Sequence, residues 1–327
     1  MRQGAFGQQM SKIACLFPGQ GSQSVGMGKD LYDSLDAARQ AFEEIDAMAG
    51  RSLSTLCFQG PDWQLKRTVN TQPTILAVSL AAWRCFESAG GPVPDFVAGH
   101  SLGEFTALVA AGVLTPQAAV ALVGRRAQLM EDCPAGAMSA VIGLAPEVLE
   151  KCCADACLAD PSEVVVVANF NTREQLVISG APPAVAKAGE SAKALGGKVI
   201  PLPVGGAFHS PLMAAAAAEF ERELAKYPLA DARLPVVQNF DAGASRSALE
   251  IKAKLARQMA SSVRWCESIE YMLGQGVDTF VEIGPGKALA GMVKKIDRGV
   301  RVLNVFDYQT LVAAIRELAA APATRSP

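Results

Sequence analysis

Apolar positions along the chain follow two rhythms. Short runs at Lys12–Phe17, Asp95–Gly99, Pro235–Asn239, Thr279–Ile283 and Arg301–Val305 read as buried strands. Between them the apolar positions recur at helical spacing. Asp30–Met48 keeps Leu31, Leu35, Ala38, Phe42 and Ile45 on one face. Pro73–Ala89 carries the same period until Gly90-Gly91-Pro92 breaks it. Thr115-Pro116 supplies an N-cap and a proline at the first helical position of a helix reaching Met130. Ala214–Ala218 with the acids after it, Ser247–Met259, Val263–Leu273 and Ala288–Ile296 read as further helices. Strands alternating with helices predict an α/β domain built on a parallel sheet, over residues 11–136 and 205–318.

From Ala137 the pattern changes. Ala137–Leu144, Glu163–Phe170, Gln175–Ser179 and Lys198–Val204 read as strands, with helices over Pro146–Cys157 and Pro182–Leu195. The order βαββαβ is that of a ferredoxin-like unit. It predicts a small domain, 137–204, inserted into the large one. Residues 1–10 and 319–327 are expected to be terminal tails.

Candidate chemistry gathers where the apolar runs end. Gly99-x-Ser101-x-Gly103 lies between a strand and a helix predicted over Thr106–Ala111, which Gly112 stops. Strand, tight turn and helix are the context of a nucleophile elbow, which lifts the serine hydroxyl clear of the sheet. The Leu102 N–H would then face a developing oxyanion at the positive end of the helix. A turn that merely joins strand to helix can carry the same five residues, so the flanking elements decide the reading. The loop Gly19-Gln20-Gly21 follows the first strand. It fails the dinucleotide fingerprint G-x-G-x-x-G because Ser24 stands at the last glycine position. A second oxyanion donor and a plain turn are both open readings of this loop. Gly284-Pro285-Gly286-Lys287 is no Walker loop, since Val281 replaces its first glycine and Ala288 its Ser/Thr.

A serine nucleophile needs a base, and the chain has 2 histidines. His100 adjoins Ser101 and is expected to point away from its hydroxyl. Elimination leaves His209, on the Gly- and Pro-bounded loop that follows the insert. Asp132, Asp155 and Asp160 lie between nucleophile and base, but no context marks one as the histidine's partner; a backbone or amide oxygen is the alternative. Arg125 and Arg126 each have apolar neighbours at i±3 and i±4. Snorkelling to water and gripping an anionic ligand are both open for either one.

Composition narrows the classes. The 327 residues are 50% hydrophobic with net charge −2, which suits a large core and argues against nucleic acid or an anionic membrane as partner. No apolar run approaches the ~18 residues of a membrane span. The 8 cysteines form no C-x-x-C, so no metal is expected and reduced thiols of a cytoplasmic protein are. The residues before Met10 lack the apolar stretch of a secretory signal, and Met10 is an alternative start.

Six segments carry a resemblance. Phe17-Pro18-Gly19-Gln20-Gly21-Ser22-Gln23, Gly99-His100-Ser101-Leu102-Gly103-Glu104, Gly124-Arg125-Arg126, Asn169-Phe170-Asn171, Ala207-Phe208-His209-Ser210 and Glu282-Ile283-Gly284-Pro285-Gly286-Lys287 resemble the malonyl-CoA:acyl carrier protein transacylases of fatty acid synthesis. The resemblance runs from Ile13 to Leu318. It implies a hydrolase-like α/β domain with a ferredoxin-like insert. It also implies that Ser101 carries the malonyl ester, with His209 as base. The N–H groups of Gln20 and Leu102 would form the oxyanion hole. Arg126, not Arg125, would hold the malonyl carboxylate, and a main-chain carbonyl near Gln258 would orient the histidine. Phe208, His100 and Asn169 are expected around the substrate. Phe208 departs from the serine that many bacterial members carry before the histidine, which leaves malonyl choice intact but blurs the pathway. Transfer would be ping-pong. No cofactor is implied beyond the substrates, malonyl-CoA and a phosphopantetheinylated acyl carrier protein. The partners expected are that carrier and the coenzyme A thioester, and the protein is expected to be a monomer. Lys287, Lys294, Lys295 and Arg298 are candidates for docking an acidic carrier; a solvated helix end accounts for them equally well. A polyketide acyltransferase acting in trans, and a serine hydrolase or thioesterase, are the alternative readings.

Overall fold

The computed structural model describes residues 11–159 and 163–320. Six strands form the larger sheet: β1 (Lys12–Phe17), β2 (Phe96–Gly99), β7 (Val236–Val237), β8 (Ala244–Ser245), β9 (Val277–Ile283) and β10 (Arg301–Val305). Their order is β10-β9-β1-β2-β7-β8. All pairs are parallel except the short β7–β8 edge. Helices cover both faces, so the central strands are apolar without alternation; Ala14, Cys15, Leu16 and Phe17 are all fully buried. Register then sets up the site. Phe17 pairs with Gly99, and Leu16 with Glu282. The loops after β1, β2 and β9 therefore leave the sheet at one level, along its carboxyl edge, where ligands of open α/β sheets bind.

Four strands form the smaller sheet: β3 (Ala137–Ile142), β4 (Val165–Thr172), β5 (Gln175–Gly180) and β6 (Lys198–Pro201). All its pairs are antiparallel, in the order β4-β5-β3-β6. Helices Pro146–Ala159 and Pro182–Ala194 supply Leu149, Cys152, Cys153, Ala184, Val185 and Ala188 to one core with Val141, Leu176 and Ile178. This is the ferredoxin-like arrangement. A bridge between Ala135 and Gly206, and the bond from Gly136 N–H to Gly205 O at 2.9 Å, join the chain where it enters and leaves this unit. The α/β fold with its ferredoxin-like unit is thus the one expected.

Several elements differ from the sequence reading. The helix expected over Asp30–Met48 is two, Lys29–Ser34 and Asp36–Ala49, with Leu35 extended between them. Leu31, Ala38, Phe42 and Ile45 are all buried in one core despite the break. The helix expected from Pro73 begins at Thr68 and runs to Ser88. Pro73 cannot donate to the Val69 carbonyl one turn earlier, but Arg51 Nη2 does so at 3.0 Å, and the helix continues through the proline. Val263 is not helical: it bridges to Asn169, and the helix starts at Trp265. A last helix, Tyr308–Ala319, was not anticipated; Asp307 and Thr310 form its capping box. Ala319, expected in the tail, closes this helix. The expected tail at 1–10, its alternative start at Met10, residues 321–327 and Asp160 lie outside the described residues. Among the described residues no helix is long and apolar enough to cross a membrane.

Candidate active site

The elbow is held by close packing and by one asparagine. A Cβ on Gly99 would lie 1.9 Å from the Gly103 carbonyl carbon, so only glycine lets the strand turn into the helix here. Ser101 occupies the left-handed region at φ 50°, a strained conformation for a residue with a side chain. Asn239 sustains it from β7's far end. Its Oδ1 accepts from Ser101 N–H at 2.6 Å, and its Nδ2 donates to Gly99 O at 2.7 Å. The helix starts at Gly103, earlier than Thr106, and runs to Ala110. The glycine loop after β1 presses on the elbow, since a Cβ on Gly19 would fall 2.4 Å from His100 O. Among the described residues, neither Gln20 N–H nor Leu102 N–H donates a hydrogen bond within the protein. Two free N–H groups on adjoining loops suit an oxyanion.

His209 reaches the serine across the sheet edge. Its Nε2 lies 2.7 Å from Ser101 Oγ. Its Nδ1 lies 3.1 Å from Gln258 O and 3.2 Å from Ser261 O. Carbonyls only accept, so Nδ1 carries the proton and Nε2 presents a lone pair to the hydroxyl. His209 is itself at φ 59°, with its N–H on Met259 O at 3.2 Å. Burial first, and the Arg126 cation second, push its pKa down to about 3. The ring is therefore neutral, as a base must be.

Arg126 is 1% exposed, whereas Arg125 lies at the surface, 3.6 Å from Glu219. The Arg126 guanidinium donates to Gln72 Oε1 at 2.7 Å, Ser101 Oγ at 3.0 Å and Gln258 Oε1 at 3.1 Å. It also lies 5.8 Å from the Phe105 ring centroid. Burial lowers its pKa to about 10, and Glu104 opposes the shift; it stays charged at neutral pH. Glu104, also buried, accepts from Asn239 N–H at 2.9 Å, Gln258 Nε2 at 3.1 Å and Gln238 Nε2 at 3.2 Å. Burial raises its pKa, while these donors and Arg126 oppose the rise.

His209 and Arg126 thus converge on the Ser101 hydroxyl, and Gln258 touches both of them. Gln258 meets the histidine with its carbonyl and the arginine with its side chain. Among the described residues, the three expected around the substrate make no hydrogen bond to that hydroxyl. His100 turns to Asn171, Nε2 to Oδ1 at 2.8 Å, and packs edge-on to Trp265. Phe208 is 5% exposed and packs against Gly206. Asn169 is buried in β4, bridged by its backbone to Val263. Of the docking candidates, Lys294 Nζ donates to Val300 O at 2.6 Å and Lys295 Nζ to Gln175 Oε1 at 3.0 Å. Lys287 Nζ lies 4.9 Å from the Phe306 ring centroid. Glu104, Asn239 and Gln72 were not singled out from the sequence. The first had a signal, a charged residue opening an otherwise apolar helix; the other two had none.

Ser101 on a strained elbow, a neutral His209 and a buried cation beside them suit acyl transfer through the serine hydroxyl. The family model described as acyl transferase domain matches residues 15–323. The chain belongs to that family, and within it to the malonyl-CoA:acyl carrier protein transacylases. The malonyl CoA-acyl carrier protein transacylase of Bacillus subtilis is 44% identical, over 94% of this chain and 98% of its own. That of Escherichia coli K12 is 42% identical, over 88% and 93%. Among solved structures, the Coxiella burnetii malonyl CoA-acyl carrier protein transacylase superposes with TM-score 0.91 at 38% identity, covering 94% of this chain and 98% of its own. A complex of a type II polyketide acyl carrier protein with its malonyl-transacylase gives TM-score 0.91 at 38% identity, over 94% and 100%.

Proposed function

We propose that the protein transfers a malonyl group from malonyl-CoA to the phosphopantetheine thiol of an acyl carrier protein, through a malonyl ester on Ser101, in fatty acid synthesis. The observation that carries the substrate assignment is the Arg126 guanidinium, buried and 3.0 Å from the serine oxygen. An acyl group bearing a carboxylate finds a cation there; an acetyl group finds only an unpaired charge.

In the first half-reaction Ser101 Oγ attacks the thioester carbonyl as His209 Nε2 takes its proton. Charge on the carbonyl oxygen is met by the N–H groups of Gln20 and Leu102. The tetrahedral intermediate collapses, and coenzyme A leaves as a thiol with the proton from His209. In the second, the carrier's thiol gives its proton to His209 and attacks the ester, and Ser101 recovers its hydrogen. Gln258 O and Ser261 O keep the ring in one tautomer throughout. No step calls for a metal or a redox group.

The test is intact-protein mass spectrometry after brief exposure to malonyl-CoA and, separately, acetyl-CoA. A stoichiometric malonyl adduct on Ser101, discharged by the holo carrier, is expected. Steady release of free malonate with no adduct would make the protein a hydrolase.

A further inference from the structure

Three turns meet at the carboxyl edge of the larger sheet. The loop after β1 carries Gln20, the elbow after β2 carries Ser101, and Gly284-Pro285-Gly286 follows β9. β1 runs between β9 and β2, so the Gln20 loop lies between the elbow and this third turn. Both neighbours press on it. On the elbow side, a Cβ on Gly103 would fall 2.0 Å from Phe17 O and 2.8 Å from Pro18 O. On the other side, a Cβ on Gly284 would fall 2.4 Å from Ser79 Oγ and 2.8 Å from two ring carbons of Pro18. A Cβ on Gly286 would lie 3.4 Å from Ser22 Cβ, an ordinary contact. The third turn thus bears on Pro18 and Ser22, which flank Gln20 on either side.

A buried carboxylate fixes that turn. Glu282 is the penultimate residue of β9, paired with Leu16 and fully buried. An apolar side chain would fill such a position at less cost. Its oxygens instead reach across the turn to the helix Ala288–Ile296. Oε1 accepts from Leu289 N–H at 3.2 Å and Oε2 from Ala290 N–H at 2.7 Å. These are N–H groups that the first turn of a helix leaves free. The carboxylate therefore ties the end of the strand to the start of the helix and closes the turn between them. Gly284 N–H adds a bond to Val305 O at 3.0 Å. Gly284 at φ 133° and Gly286 at φ 86° hold backbone conformations that favour glycine.

We infer that Glu282 and Gly284 are positioning residues for acyl transfer: the turn they hold braces the Gln20 loop against the elbow and keeps the Gln20 N–H in place for the oxyanion. The inference rests on the acyl-transfer reading above. A methyl on Gly284 has to displace Pro18 or Ser79. An amide at position 282 accepts from one helix N–H and turns its own N–H₂ on the other, which loosens the turn without adding bulk. Both changes act on the oxyanion donor and on neither the base nor the cation.

The experiment follows Ser101 acylation in single turnovers by mass spectrometry, with malonyl-CoA and with acetyl-CoA. Wild type, Gly284→Ala and Glu282→Gln are compared, with a thermal melt on each. Losing an oxyanion donor outright costs on the order of 10²–10³-fold in rate, and a displaced donor costs less. The saturating acylation rate should fall about 10- to 100-fold in Gly284→Ala and about 3- to 10-fold in Glu282→Gln. The fall should be the same for both acyl groups, because both develop the same oxyanion, and the half-saturating concentration should not move. Long incubation should still bring the adduct to full stoichiometry, which separates slow enzyme from dead enzyme. A turn that serves only the fold would lower the melting temperature and leave the rate of folded molecules at the wild-type value. That result in Gly284→Ala, or a loss confined to malonyl-CoA or to the half-saturating concentration, overturns the inference. Should Gly284→Ala not fold, Glu282→Gln decides: a fall of less than about threefold overturns it, and a larger one shared by both acyl groups supports it. No adduct on Ser101 in wild type defeats the acyl-transfer reading and the brace together, whereas a wild-type adduct formed at an unchanged rate in the variants defeats the brace alone.

Discussion

Replacing Arg126 by alanine should remove the preference for malonyl over acetyl while leaving the chemistry of acyl transfer in place. The guanidinium touches Ser101 Oγ at 3.0 Å. In a malonyl ester the carboxylate is separated from that oxygen by only the carbonyl and one methylene, so it falls within reach of the same cation. Two unit charges ~4 Å apart at an effective dielectric of ~20 attract by about 4 kcal/mol. Removing one member of a buried charge pair costs roughly 2–5 kcal/mol, a range that contains the first figure. At ~1.4 kcal/mol per decade this is on the order of 30- to 4000-fold in kcat/KM for malonyl-CoA. Acetyl-CoA has no carboxylate to lose, so its kcat/KM should change far less. Arg126→Lys should restore part of the ratio, having the charge but not the fork. Arg125 pairs with Glu219 at 3.6 Å, with side chains 40% and 46% exposed. Such a pair is worth ~0–1 kcal/mol, so Arg125→Ala should shift the ratio by at most about fivefold. The fold needs its own check, because Arg126→Ala leaves Gln72 Oε1 and Gln258 Oε1 without their donor and Glu104 without its nearest cation. Losses of about 3–5 kcal/mol are ordinary for such breaks. The assay is therefore the ratio of kcat/KM values, with a thermal melt on each variant. A folded Arg126→Ala protein that still prefers malonyl-CoA refutes the reasoning, and a ratio that collapses in Arg125→Ala points to the other arginine.

Ser101→Ala should fold and form no malonyl adduct; an adduct seen by mass spectrometry in that variant places the nucleophile elsewhere. For His209→Ala, acyl transfer should drop on the order of 10²–10⁴-fold, the usual span for a general base, and activity within a few-fold of wild type would mean another group takes the proton. With the His209 pKa pushed down to about 3, the base is unprotonated through roughly pH 5 to 8, so the rate of serine acylation should stay flat across that window. A one-proton fall with its midpoint near 6.5, the value for an unperturbed histidine at about that pH, would contradict the burial argument. Gly99→Ala sets a methyl 1.9 Å from the Gly103 carbonyl carbon, a backbone atom that cannot swing aside. Urea denaturation should show a loss of about 1–3 kcal/mol or more, together with lost activity; a wild-type midpoint would mean the turn relaxes freely.

The elements of this fold were legible to different degrees, for physical reasons. Strands buried on both faces leave unbroken apolar runs, so β1 and β9 could be read from the chain. The ferredoxin-like unit declared itself by its βαββαβ order. Pro73 hid the first turn and a half of its helix because the compensating donor, Arg51, is 22 residues away in sequence as their numbers give. Tyr308–Ala319 had its capping residues in plain view, and a frayed-looking end drew attention from them. In the site, Ser101 stood out because an elbow demands glycines at fixed offsets, and His209 because the chain has so few imidazoles. Arg126 could not be told from Arg125 by spacing, since both had apolar neighbours; only the depth of burial separates them. Asn239 and Gln72 were invisible because nothing local constrains them: each is an amide whose partners come from other parts of the chain. Amide networks of this kind are written in three dimensions alone.

The chain threads its active site in an order that matters while it is being made. Ser101 precedes the ferredoxin-like unit and His209 follows it, 108 positions later. The carbonyl that holds the imidazole, on Gln258, comes 49 positions after that, and Asn239, which clamps the elbow, lies 138 positions beyond the serine. A growing chain therefore exposes its nucleophile long before it owns the clamp, the base or the base's anchor. Until those segments are present, the chain lacks the Asn239 bonds and the imidazole acceptor that the finished fold gives the elbow. The full set of contacts around Ser101 and His209 requires the chain as far as Ser261. The inserted unit lengthens the chain between nucleophile and base, so the finished site joins segments more than a hundred residues apart.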